Sequence, residues 1–186
     1  GTVAALQRLA ANDLDRPAGA LIYTQLCNER GGIEADLTFV RLDENRFYMV
    51  TGSAFGVRDT AWITRHLPAD GSVTLQDLTS ARATINLAGP LSRRILEKVA
   101  DGDVGNAAFP YMTARSLRIG YAPVLALRVT YFGELGWELH LPTEYAAHVY
   151  ELLQAAGEEF GLADAGYRAI DSLRLEKRYL YWGADI

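Results

Sequence analysis

Between positions 21 and 51, apolar residues recur at every second position in three short runs separated by tight polar turns. Residues 21–28, 33–42 and 47–51 read as strands, with Glu29-Arg30-Gly31-Gly32 and Asp43-Glu44-Asn45 as the reversals. Reversals this short leave no room for a crossover, so neighbouring strands run antiparallel. The period then lengthens towards 3.6, and residues 57–67 read as a helix with Trp62, Ile63 and Leu67 on one side.

A second set follows: strands at 73–78 and 82–88, a helix at 90–99 opened by Gly89-Pro90, and strands at 116–119, 124–131 and 137–141. The longest helix is expected over 143–160, where Tyr145, Val149, Leu152, Leu153 and Ala156 repeat at helical spacing. Thr143 suits its N-cap and Gly161 its stop. Helices are also expected at 3–11 and 165–179. Strands joined by hairpins and interrupted by helices predict an α+β fold, with two similar halves of largely antiparallel sheet and packed helices. No linker or low-complexity stretch divides the chain, so a single domain over 1–186 is expected.

With 49% apolar and 22% charged residues over 186 positions, the chain has a globular composition able to bury a sizeable core. Its net charge of −5 argues against broad binding to nucleic acid or an anionic membrane. The single Cys27 excludes an internal disulfide and a cysteine-built metal site, and suggests a reducing compartment. No apolar run is long enough to span a bilayer. The chain opens on Gly1 and closes on an aromatic stretch with Tyr181, Trp182 and Ile186, so both ends read as cut from something longer.

Phosphate-loop, zinc-protease, nucleophile-elbow and dinucleotide motifs are absent. His66, His140 and His148 are scattered and read as surface or edge residues, and no metal site is expected. Cys27, in an apolar strand, reads as a buried inert thiol.

Three segments look different. In the second strand Glu34, Asp36 and Thr38 share one face, and Ala35, Leu37 and Phe39 the other. Asp36 lies where that strand turns apolar. It reads either as a desolvated carboxylate that accepts a proton or pairs with an amine, or as an acceptor for the turn amides of Gly31-Gly32. Tyr131-Phe132-Gly133-Glu134-Leu135-Gly136-Trp137-Glu138 carries two glycines three apart, which allow a bend where backbone meets a ligand closely. Glu138 faces away from Trp137, Leu139 and Leu141; beside aromatics its two acceptor oxygens suit a heterocycle with an amidine-like edge, while the plain alternative is a solvated hairpin glutamate. Arg168 falls in the first turn of the last helix, where the macrodipole disfavours a cation, which points to an anionic or polar partner. Asp171 and Arg174 read as a surface pair.

Taken together, Gly31-Gly32-Ile33-Glu34-Ala35-Asp36-Leu37, residues 131–138 and residues 166–176 resemble the folate-binding aminomethyltransferase family, which includes the T-protein of glycine cleavage. Asn28-Glu29-Arg30-Gly31-Gly32, Val50-Thr51-Gly52-Ser53-Ala54 and Asn106-Ala107-Ala108-Phe109-Pro110-Tyr111 are more similar to the tetrahydrofolate domain of dimethylglycine and sarcosine dehydrogenases. Ala35 and Gly52, where the T-protein has Asp and Asn, favour that subfamily. The resemblance implies tetrahydrofolate as cofactor, Asp36 as the catalytic aspartate beside the reactive folate nitrogens, and Tyr131, Glu138 and Arg168 around the pterin. Thr38 and Gly52 are implied to line the same pocket.

The resemblance further implies an upstream flavin domain carrying FAD and a C-terminal barrel, both outside these residues. It implies a cytoplasmic or mitochondrial-matrix setting and formation of 5,10-methylenetetrahydrofolate from an N-methyl amine's one-carbon unit. Two rivals stand beside it: a glycine-cleavage-type aminomethyltransferase fed by a lipoyl arm, and a non-catalytic regulatory module similar to the regulatory subunit of pyruvate dehydrogenase phosphatase.

Overall fold

The computed structural model describes residues 1–186 and divides them into two compact units, Gly1–Leu78 and Thr79–Ile186. The first opens on helix α1 (Thr2–Gln7) and contains a three-stranded sheet, β1 (Leu21–Cys27), β2 (Ile33–Arg41) and β3 (Phe47–Thr51), in the order β1-β2-β3. Both pairings are antiparallel, as the short turns require. Alternation along β2 sends Ala35, Leu37 and Phe39 into a core with Leu6, Leu14, Ile22, Leu26 and Ile63. Ile63 comes from α2 (Gly56–His66), whose first turn carries Asp59 and whose last carries Arg65 and His66, each sign at the end the helix dipole favours.

The second unit holds a four-stranded sheet in the order β4-β7-β6-β5, from β4 (Arg82–Ala88), β5 (Ala114–Ile119), β6 (Ala122–Leu127) and β7 (Gly136–Pro142). All its pairings are antiparallel. Helices α3 (Ser92–Val99) and α4 (Ala146–Gly157) supply Ile95, Leu96, Val149 and Leu153 to a core centred on Trp137, Leu139 and Leu141. Phe109 meets the fully buried Trp137 edge-on at 6.2 Å between ring centres. Arg93 and Arg128 lie over the same indole and share Asn106 Oδ1 at 2.7 and 2.6 Å, which pins the loop before β5. The last helix is α5 (Tyr167–Glu176).

The α+β architecture of two antiparallel sheets with helices is the one the sequence pattern implies. One expected strand is absent: residues 73–78 form no ladder. Val73 is buried and Leu75 packs against the first core, so the alternation there reflects an extended segment lying on hydrophobic surface. The long helix is flanked by 3₁₀ turns at Thr143–Tyr145 and Glu158–Phe160, and Gly161 ends it at φ +70°. Thr143 does not cap it; its hydroxyl donates to the Ser80 carbonyl at 3.2 Å. No helix is long and apolar enough to cross a membrane.

Candidate functional site

In the first unit Asp36 projects from the face of β2 opposite the core. Antiparallel register places Gln25 across from it and Tyr23 across from Thr38, so these four side chains share one face of the sheet. Gln25 Nε2 donates to Asp36 Oδ1 at 2.8 Å, which orients the carboxyl and leaves Oδ2 available. Tyr23, 48% exposed, stands across from Thr38 on that face. The reading of Asp36 as a turn-amide acceptor is ruled out, because the Gly31 amide donates to the Asn28 carbonyl at 2.9 Å and the Gly32 amide to Asn28 Oδ1 at 3.0 Å. Gly52 is exposed just after β3; a Cβ there would lie 3.0 Å from the Phe55 ring.

Glu34, further along the same face, accepts from Asn28 Nδ2 at 2.7 Å and from Arg58 at 3.2 Å. The Asn28 hydrogen bond, with help from Arg58 and Arg65, holds its carboxyl below the usual carboxylate range despite some desolvation.

Sequence reasoning missed Asp59. Its side chain is wholly buried, the Thr51 hydroxyl donates to its Oδ2, and its Oδ1 has no partner. Burial pushes its carboxyl up from the ordinary range; the Thr51 bond and the Arg58 charge oppose that rise, and the Asp36 charge reinforces it. Nothing in the pattern separates such a residue from an ordinary first-turn acid.

In the second unit Trp137, Leu139 and Leu141 are fully buried, whereas Glu138 lies on the other face of β7 with its side chain partly exposed. His140 shares that face and is only 3% exposed, which corrects its reading as a surface or edge residue. It sits mid-sheet, paired with Thr84 of β4 and Leu125 of β6. Its Nε2 lies 3.2 Å from Glu138 Oε2 and its Nδ1 3.2 Å from Thr84 Oγ1. A polar residue two positions from Glu138 on one strand face was the available signal.

His66 and His148 are half-buried rather than surface residues: His66 packs on Trp62, and His148 stacks on Tyr121 at 3.8 Å between ring centres. Tyr131 is 38% exposed, and its hydroxyl reaches the Leu180 carbonyl at 3.5 Å. The glycines of this segment shape its backbone, and the expected bend falls at Gly133. Gly133 turns the chain at φ +69°. Gly136 lets β7 press against β4, since a Cβ there would sit 2.5 Å from the Leu87 carbonyl oxygen.

Arg168 is exposed in the first turn of α5. Arg174, read from sequence as part of a surface pair, is 5% exposed. It holds Asp171 and Asp185 and donates to the Tyr179 carbonyl, so the closing segment is fastened back onto α5. Cys27, by contrast, is less buried than its apolar strand suggested. It is partly exposed at the end of β1 and lines a cleft of about 590 Å³ with Arg8, Arg30, Trp62 and His66.

The structure thus brings Asp36 and Thr38 together in the first unit, next to the sharp turn at Gly52, and places Tyr131, Glu138 and Arg168 in the second. This chain belongs to the GCVT N-terminal domain family, an aminomethyltransferase family, which it matches over residues 1–186. It is 40% identical to human mitochondrial sarcosine dehydrogenase over 96% of its own length and 36% identical to the mouse mitochondrial pyruvate dehydrogenase phosphatase regulatory subunit over 97%. In each case it spans 21% of the relative's length. Among solved structures it resembles the glycine cleavage system aminomethyltransferase T of Bartonella henselae, with TM-score 0.75 and 29% identity, covering 94% of this chain and 45% of that one.

Proposed function

We propose that this chain is the tetrahydrofolate-binding one-carbon transfer domain of an FAD-dependent N-methyl amine dehydrogenase of the dimethylglycine and sarcosine type. The flavin chemistry is assigned to another part of such a protein, and 5,10-methylenetetrahydrofolate is the product formed here. The observation that carries the reading is Asp36. In a chain similar to sarcosine dehydrogenase over nearly all its length, this half-buried carboxyl stands on the sheet face turned away from the first core, oriented by Gln25 through one oxygen only.

Tetrahydrofolate supplies the nucleophilic amine that takes up the one-carbon unit. Asp36 is assigned to accept the proton that amine loses; a positioned base of this kind contributes roughly 10²- to 10⁴-fold. Tyr23, on the same sheet face, is assigned as a stacking surface. Glu138 keeps Oε1 for an N–H donor of the pterin while His140 engages Oε2. Tyr131 is assigned to line the folate, Arg168 to the pterin end, and Thr38 and Gly52 to the pocket wall.

Calorimetry with tetrahydrofolate tests the reading. Saturable binding is expected, and Glu138→Gln should weaken it by about 1.5–3 kcal/mol, the worth of a hydrogen bond to a charged group. Equal affinity for both forms removes Glu138 from the site. A regulatory reading is favoured by the 36% identity to the phosphatase regulatory subunit. It predicts binding without catalysed product formation.

A further inference from the structure

Glu138 does not stand alone on its strand face. His140, two residues along β7, and Thr84, opposite His140 on β4, complete a line of three polar side chains: Thr84 Oγ1, His140 Nδ1 and Nε2, and Glu138 Oε2, with both contacts at 3.2 Å. A carboxylate only accepts hydrogen bonds, so the imidazole must present N–H at Nε2. In a neutral ring Nδ1 is then the acceptor, and the Thr84 hydroxyl can donate to it. One tautomer therefore satisfies both contacts. Leu125 is the neighbour of His140 on β6 and Leu127 that of Glu138, so apolar side chains flank the line.

A glutamate carries three side-chain torsions, and ordering them on ligand binding costs free energy. The contact from His140 through Oε2 fixes the Glu138 carboxyl beforehand and leaves Oε1 for a ligand. We propose that His140, with its tautomer set by Thr84, is the positioning residue that preorganises Glu138 for an N–H-bearing heterocycle. This deepens the folate reading above and rests on it for the identity of the heterocycle.

Two measurements on the chain test it. Nitrogen-15 NMR of the histidine rings, without ligand, should show the His140 proton on Nε2, and Thr84→Val should disturb that resonance. A ring protonated on Nδ1 alone overturns the proposal whatever the ligand is. In calorimetry with tetrahydrofolate, His140→Phe should bind about tenfold more weakly, the scale of a lost hydrogen bond to a charged group. His140→Gln, whose amide N–H2 can reach the same carboxyl, should recover most of that loss. In the double variant with Glu138→Gln the two losses should not add.

Additive losses, or equal weakness of the Gln and Phe variants with unchanged circular dichroism, contradict positioning. If wild type binds no tetrahydrofolate while the Nε2–H tautomer is present, the folate assignment fails, and the Glu138–His140 pairing stands for another heterocycle.

Discussion

A carboxyl enclosed by protein and bonded through one oxygen only, as Asp59 is, resists losing its proton. Its folded value is raised above the ordinary 3.8. The favourable contribution of the neutral form is therefore complete below the unfolded value and is lost as pH rises through the folded one. The groups acting on it are Thr51, Arg58 and Asp36. Asp59→Asn cannot ionise, so its unfolding midpoint should fall less than that of the wild type as pH rises above 3.8. Urea unfolding across a pH series checks this, and parallel curves contradict it. Arg174 makes a second case at this scale. Because it ties Asp171 on α5 to Asp185 and the Tyr179 carbonyl, Arg174→Ala should loosen the last eight or so residues, seen as faster amide exchange there.

Among the elements, β7 depends on close approach to β4. Placing a methyl 2.5 Å from the Leu87 carbonyl oxygen and 2.8 Å from Ala88 Cβ forces the strands apart. Gly136→Ala should therefore cost about 1–3 kcal/mol in urea unfolding, as overpacking does elsewhere. The strands themselves were legible: a period of two between short turns marked β1 to β3, and apolar runs marked β7 nearly in place and β6 with its end set four residues beyond Leu127. Residues 73–78 misled because Val73 and Leu75 alternate without a ladder partner, and alternation reports burial rather than pairing. The alternation that exposed Glu138 also put His140 on its face, yet pattern counts a histidine as polar and cannot show that β7 runs between β4 and β6. Asp59 and Arg174 escaped for another reason: Asp59 is enclosed beside Thr51 at the end of β3 and Arg174 by the closing segment folding back onto α5, and periodicity within one element reports neither.

At the scale of the whole molecule, the two residues given the main roles in the proposal belong to different units, Asp36 to the first and Glu138 to the second. They take different parts of the proposed task, one proton transfer and the other recognition. The chain spans about a fifth of the length of the dehydrogenase and regulatory relatives, and it matches one domain family throughout. The proposed division of labour makes binding and chemistry separable by substitution. The most direct measurement is the rate of 5,10-methylenetetrahydrofolate formation from formaldehyde and tetrahydrofolate, above the uncatalysed condensation, for wild type and Asp36→Asn. Asparagine keeps the size of the side chain and one acceptor oxygen but cannot take a proton. The account predicts unchanged tetrahydrofolate affinity and a rate lower by about 10²- to 10⁴-fold. A variant that forms product at the wild-type rate would show that Asp36 is structural and that the domain does no proton chemistry there.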